Sequence, residues 1–327
     1  MDYRDMDRRT FFKGTGIAAL TASALQAQQR PVEGVVPNSS GTAAPKLRAP
    51  ANACDCHHHV YDSRFPFSRS AFTVPNSGLT DYLLLQRRLG TSRSVVVSPA
   101  PFPASFADNL ATLDAIKKLN GKSLGVAIIS PDTTDAELKT LHDGGIRGIR
   151  FSLASAPLTR SGTPSNAVSL IEPLSKRVAN LGWHVQINMN ADQIAEAAEL
   201  WNRLPTPLVF DHMGHMPQPM GVDHPAFKVL RQLVDKGNTW VKLSVTFDSS
   251  KVGPPAYTDV NQVGRALVQA APERVLWGSN WPHPNETSKP DDAMLFDLLA
   301  VWAPEEQTRH RILVENPEKL YGFLDSR

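Results

Sequence analysis

The chain has only two cysteines, Cys54 and Cys56, separated by a single residue. A disulfide framework is therefore excluded. In an extended strand two such sulfurs share a face, with Cα atoms near the upper distance limit for a bridge, so they read as free, packed thiols. No apolar run approaches the roughly 20 residues of a membrane span. Charge of one sign is also lacking: 34 Lys and Arg against 32 Asp and Glu give a net charge of +2, which indicates neither a nucleic-acid surface nor a polybasic membrane anchor. No GxGxxG, and no GxxxxGK followed by Ser or Thr, comes after any candidate strand, so a nucleotide fold gains no support. There is no internal repeat of fixed short period. What is present is ordinary globular material, 327 residues with 41% hydrophobic and 20% charged, long enough to bury a large core.

The N-terminal segment carries its own pattern. Asp7-Arg8-Arg9-Thr10-Phe11-Phe12-Lys13 precedes the mild apolar stretch Gly14 to Leu20, and Ala22-Ser23-Ala24 offers a small-residue cleavage site. This order predicts a twin-arginine signal over residues 1–24 and a periplasmic mature protein, with no membrane attachment once the signal is cleaved. Residues 25–50, rich in Ala, Pro, Ser and Gly without periodicity, predict a flexible leader.

From residue 51 to 327 two textures alternate. Short apolar or β-branched runs occur at Ala53 to His59, Ser94 to Pro99, Ser123 to Ile129, Gly148 to Leu153, His184 to Asn188, Leu208 to His212, Thr239 to Leu243 and Arg274 to Gly278. Segments with helical spacing lie between most of them: Asn109 to Leu119, Asp135 to Asp143, Ala167 to Leu181, Ala191 to Leu204, Pro225 to Lys236 and Asp259 to Ala270. Strands separated by crossover-length helices predict an α/β fold, a single-domain (β/α)8 TIM barrel. A doubly wound open sheet is the competitor.

In such a barrel the site is built from the C-terminal ends of the strands and the loops after them. Those ends read Asp55-Cys56-His57-His58-His59, Ser98-Pro99, Arg150, Asn188, Asp211-His212, Lys242 with Ser244, and Ser279-Asn280-Trp281-Pro282-His283. Nearly every one can donate, accept or ionise, which predicts a polar cavity for a small-molecule substrate. Strict alternation along the first strand puts Asp55, His57 and His59 on the barrel side and Cys54, Cys56 and His58 on the helical side. Paired imidazoles at spacing two can bind a metal, move protons or donate to an anionic oxygen.

Taken in order, Asp55-Cys56-His57-His58-His59-Val60-Tyr61-Asp62, Asp108-Asn109, Arg147-Gly148-Ile149-Arg150-Phe151, Trp183-His184-Val185-Gln186, Asp211-His212-Met213-Gly214, Trp240-Val241-Lys242-Leu243-Ser244 and Trp277-Gly278-Ser279-Asn280-Trp281-Pro282-His283-Pro284 resemble the amidohydrolase superfamily. The resemblance is to its branch of pyrone-dicarboxylate lactonases and related lactone hydrolases and isomerases. It implies a barrel that opens or rearranges a lactone ring, in several members without metal.

Three positions depart from that pattern. Asn280 stands where most of the superfamily has an aspartate that ligates metal or acts as base, and an amide cannot deprotonate water. Asn188 stands where metal-dependent members carry a histidine. Asp248 stands where the lactonase branch has a carboxylate-gripping arginine, so it would accept hydrogen bonds from hydroxyls instead. The expectation is a site without cofactor, in which His57 and His59, with Arg150, face the carbonyl oxygen. His212 or His283 serves as base, Asn280 orients the nucleophile, and Arg150, Asn188, Ser98, Asp248 and Trp281 contact substrate. If a metal were present, His57, His59 and His212 would hold zinc. Hydrolysis leads, with lactone isomerisation by the substrate's own hydroxyl as the alternative. An exported non-catalytic binder of small organic acids is the alternative of another class.

Overall fold

The computed structural model describes residues 32–67, 77–100, 102–154 and 165–323. The twin-arginine segment lies outside the described residues. Eight strands form one sheet in sequence order: β1 (Cys54–His58), β2 (Arg93–Val97), β3 (Ser123–Ala127), β4 (Ile146–Ser152), β5 (His184–Asn188), β6 (Leu208–Phe210), β7 (Thr239–Leu243) and β8 (Val275–Trp277). Each pairs with the next in parallel. An unshuffled order of parallel strands with helices between them is a barrel, not a doubly wound sheet.

The barrel is nearly closed. Its seam is made beyond the ladder, where the Asn280 N–H donates to the His57 carbonyl at 2.7 Å and the His59 N–H donates to the Trp281 carbonyl at 2.8 Å. The two chains approach so closely that a Cβ on Gly278 would lie 2.6 Å from the His57 Cβ and 2.9 Å from its backbone nitrogen. Only glycine fits there.

β1 does not alternate strictly. Its register against β2 slips between Asp55 and His58, so three residues advance against two. This bulge corrects the facing predicted from period two. Cys54 and Cys56 point into the barrel, packed with Val95, Val97, Val126, Val209, Trp240 and Leu276. Asp55 points out to the helical layer, where it accepts from the Tyr82 hydroxyl and from the backbone N–H and hydroxyl of Ser279. Burial pushes Asp55 up to about 6 against the pull of those bonds. His58 stacks flat on Tyr82, and His57 and His59 still face inward because the bulge lets the consecutive residues Cys56 and His57 point to the same side.

Inside, the barrel is layered. The apolar layer around Cys54, Val95, Val209 and Trp240 is closed below by Tyr321 and Phe323 from the chain's C-terminal end, with the Arg93 guanidinium over the Phe323 ring. Polar side chains occupy the layer above it.

The helical segments follow the predicted windows with breaks, as Ser165–Ser169 with Ile171–Ala179, and Ala191–Glu196 with Ala198–Trp201. Two further helices, Leu79–Leu89 and Asp292–Trp302, follow β1 and β8. The second, DAMLFDLLAVW, is apolar nearly all round and so shows no helical period in sequence.

Residues 32–50 are docked, contrary to the flexible leader expected from composition. Val36 and Ala49 are buried, Trp281 donates to the Pro37 carbonyl at 2.7 Å, and Asp297 accepts from the backbone of Lys46 and Leu47. Arg88, itself buried, donates to the Gly41 carbonyl and the Ser39 hydroxyl. The low-complexity composition does not reveal these partners because all of them lie far away in sequence.

Candidate active site

The upper layer centres on Asp211, the residue after β6. Its Oδ2 accepts from Arg150 Nε at 2.9 Å and from Gln186 Nε2 at 3.1 Å. Its Oδ1 lies 3.2 Å from His57 Nδ1 and 3.7 Å from Lys242 Nζ. Lys242 donates to Gln186 Oε1 at 2.7 Å and sits 3.3 Å from His57 Nδ1. All five side chains are buried. Burial pushes the Asp211 carboxyl up, but His57, Arg150 and Lys242 together hold it well below the ordinary carboxylate range. Burial also lowers Lys242 to about 8, opposed by Asp211, and depresses His57, helped by the Lys242 charge. The site therefore carries one carboxylate between two cations, beside neutral imidazoles.

His59 lies next to His57, with Nε2 atoms 3.3 Å apart, and its Nδ1 is 2.7 Å from the Val97 carbonyl. Burial, helped by the Arg150 charge, lowers it to about 3. A carbonyl only accepts, so the single His59 proton is on Nδ1 and its Nε2 presents a lone pair. That corrects the expected role of His59 as a donor to substrate oxygen: its one N–H is spent on backbone. His212 Nδ1 is 2.9 Å from the Ser244 hydroxyl, and its ring lies 4.9 Å from that of His57. Burial depresses His212 too.

His283, in the loop after β8, is buried and its Nε2 lies 3.1 and 3.2 Å from the two oxygens of buried Asp292. A carboxylate accepts, so His283 carries its proton on Nε2. Its Nδ1 is buried with no hydrogen-bond partner among the described residues. The His283 backbone N–H donates to the Asn280 carbonyl at 2.9 Å, and Phe247 packs edge-on against the ring.

The substrate-binding candidates divide. Arg150 reaches the polar layer, with Nε engaged by Asp211. Asn188 and Asp248 are brought together through a residue not foreseen, His215, whose Nε2 meets Asn188 Oδ1 at 2.8 Å and whose Nδ1 meets Asp248 Oδ2 at 2.9 Å. Trp281 is not brought to the mouth. It is buried against Tyr82 on the helical side, with its indole N–H on the Pro37 carbonyl. Ser98 is buried with its hydroxyl unpartnered among the described residues. It has the parity of Val96, which packs outward, whereas Val95 and Val97 face the barrel interior.

Backbone strain collects at the same end. His212, Met213, His215, Val245, Asn280 and His283 all have φ between 48° and 65°. For a β-branched residue such as Val245 this is a true outlier. Such conformations cost about 1–3 kcal/mol each and persist where surrounding structure enforces them, commonly at functional sites.

One atom each from His57, Asp211 and His212 lies within 4.8 Å of the others, so these residues are a possible site for a metal ion. Asp211, not His59, completes the set. The donor types fit a divalent ion, which would supply a Lewis acid for a carbonyl oxygen. Two cations already compensate Asp211, however, and charge complementarity is spent.

Asp211 and Lys242 stand among the polar strand ends, and Gln186 in a motif, without a role assigned from sequence; Asp292 and His215 are not singled out. Lys242 had a visible signal, a cation inside the apolar run Trp240-Val241-Lys242-Leu243. Asp292 had none, because it starts a helix outside the motif that holds His283, nine residues on.

Comparison with known proteins agrees with this architecture. The amidohydrolase profile (Amidohydro_2) matches residues 54–323. A 2-pyrone-4,6-dicarboxylate hydrolase of Comamonas testosteroni is 37% identical over 289 residues, covering 85% of this chain and 92% of that one. A D-galactarolactone isomerase of Agrobacterium fabrum is 32% identical over 290 residues, covering 86% and 94%. The apo crystal structure of an Agrobacterium tumefaciens protein superposes with a TM-score of 0.74 at 29% identity, covering 86% of this chain and 99% of that one. Profile, relatives, barrel and the inward His-x-His pair converge: the chain belongs to the amidohydrolase family.

Proposed function

We propose that the protein is an enzyme that hydrolyses a lactone, or a similar cyclic ester, of a sugar acid or an aromatic-catabolism intermediate. The observation that carries this is His283: a buried carboxylate holds its Nε2 proton, and its Nδ1 lone pair has no partner among the described residues. That is a general base standing three residues beyond Asn280, in a strand end that has lost its aspartate. The names of the relatives, lactone hydrolases and a lactone isomerase, support the substrate class.

In the proposed reaction the lactone carbonyl oxygen faces His57 and Arg150. Water attacks the carbonyl carbon as His283 Nδ1 takes its proton, and donors aimed at the oxygen stabilise the tetrahedral oxyanion. Collapse breaks the ring C–O bond, and the His283 imidazolium returns the proton to the departing alkoxide. Water and lactone thus become a hydroxy acid. Asn280 orients the nucleophile. Isomerisation is the second reading, favoured by Asn280 itself: with no acid there to activate water, a substrate hydroxyl takes the nucleophile's place and one lactone becomes another.

The reaction is proposed to need no metal, which the pairing of Asp211 with Arg150 and Lys242 supports. Purified protein assayed against a panel of lactones should open at least one ring and keep its rate after chelation, with well under one equivalent of zinc or manganese bound. Metal bound stoichiometrically, lost together with activity and restored with it, would overturn metal independence. Saturable binding of organic acids without turnover of any lactone would favour the binder.

Asn280→Asp restores a carboxylate at nearly unchanged volume. It should shift products toward water attack, whereas Asn280→Ala should lose rate by up to about 10²-fold through lost positioning. NMR analysis of products from one accepted lactone reads both. Wild-type rates and products in both variants would remove Asn280 from the catalytic set. We further propose that residues 1–24 direct export by the twin-arginine route to the periplasm, which signal-peptide mapping on secreted protein tests.

A further inference from the structure

We propose that Lys242 is a positioning residue that fixes the proton of His57 on Nε2, where it donates to His59 Nε2 in the free site and is shared with the carbonyl oxygen when substrate binds. The inference rests on the lactone-opening reading only for its catalytic consequence; the proton position stands on geometry.

The chain of contacts has one self-consistent solution. It begins at the Val97 carbonyl, which can only accept, so His59 carries its proton on Nδ1 at 2.7 Å from that oxygen. His59 Nε2 is then a lone pair, and His57 Nε2, 3.3 Å away, must be the donor between them. With that proton placed, neutral His57 has a bare Nδ1. Two groups face it: Lys242 Nζ at 3.3 Å, which can only donate, and Asp211 Oδ1 at 3.2 Å, which can only accept. Lys242 satisfies the lone pair. Asp211 Oδ1 does not, and among the described residues it has no hydrogen-bond partner. A bare Nδ1 accepts from the Lys242 ammonium at 3.3 Å and leaves Asp211 Oδ1, 3.2 Å away, to the same ammonium, which fits His57 with its proton on Nε2.

Lys242 is itself placed by Gln186, whose Oε1 accepts from Nζ at 2.7 Å while its Nε2 donates to Asp211 Oδ2 at 3.1 Å. The ammonium lies 3.7 Å from Asp211 Oδ1. It therefore lies close to two lone pairs that would otherwise repel each other. Without it, the proton of His57 would move to Nδ1 to meet Asp211, and Nε2 would turn a lone pair toward His59 and toward the carbonyl oxygen. Donation to the oxyanion would be lost while the residue itself remained.

The test is long-range ¹H–¹⁵N correlation on histidine-labelled protein, with the His57 signals assigned through His57→Gln. Wild type should show His57 as the Nε2–H form, Lys242→Met should show Nδ1–H, and Lys242→Arg should return it to Nε2–H. On an accepted lactone, Lys242→Met should lower kcat about 10²-fold with a smaller change in KM, and Lys242→Arg should recover most of that loss. Nδ1–H in the wild type overturns the proposal by itself, whether or not the variants fold. An unchanged His57 form in folded Lys242→Met overturns it too. Failure of every lactone in the panel bears on the proposed function and leaves the spectra to decide this point.

Discussion

Asp211→Asn is expected to destabilise the barrel by about 3–5 kcal/mol, because it leaves two buried cations without their counter-ion. Arg150 Nε lies 2.9 Å and Lys242 Nζ 3.7 Å from the carboxylate that would be lost. The amide keeps the volume, so packing contributes little and the loss is electrostatic. Thermal unfolding should show a midpoint lower by on the order of 10 °C. The pH dependence gives an independent check. The folded Asp211 carboxyl is held below its unfolded value, so its contribution is fully present above about pH 4 and is lost as pH falls through the lower, folded value. Wild type should lose this increment in acid, and the variant should not. A midpoint within 2–3 °C of wild type would mean that the three charges do not depend on one another.

His283→Gln should lower kcat by about 10²- to 10⁴-fold with KM little changed, the range expected for a lost general base. Glutamine retains an N–H for Asp292 and has no basic lone pair where Nδ1 stood, so the buried carboxylate keeps a partner. Asp292→Asn should act in the same direction through His283, since an amide no longer dictates which nitrogen holds the proton. Single-turnover kinetics with one accepted lactone distinguishes this loss from slow product release. Activity within about threefold of wild type in His283→Gln, together with collapse in His212→Gln, would transfer the base to His212, which Ser244 holds by Nδ1.

Much of the fold was legible in the chain because parallel barrel strands are buried on both faces and read as short apolar runs. All eight predicted runs overlap a strand, and the boundaries drift by only a few residues. What failed along β1 failed for a local reason: period-two alternation assumes an unbroken ladder, and the bulge after Asp55 exchanges the faces of Asp55 and the cysteines. The helix Asp292–Trp302 escaped because its apolar surface wraps nearly all round, leaving no stripe for a period to reveal.

The candidate site divides in the same way. Sequence by itself determined the kind of chemistry: a His-x-His pair at the end of a first strand, polar strand ends, and an amide at Asn280 that cannot act as a base. Those are properties of residue types and spacing, and they survive any detail of packing. Tertiary structure alone decided which partners each group has. It set Asp211 between Arg150 and Lys242, spent the His59 proton on Val97, turned Trp281 away from the mouth and put Asp292 behind His283. The physical reason is that proton positions and charge states are set by neighbours within about 4 Å. In a barrel those neighbours come from different strands and loops, across separations such as the 185 residues between His57 and Lys242, over which no local pattern carries information.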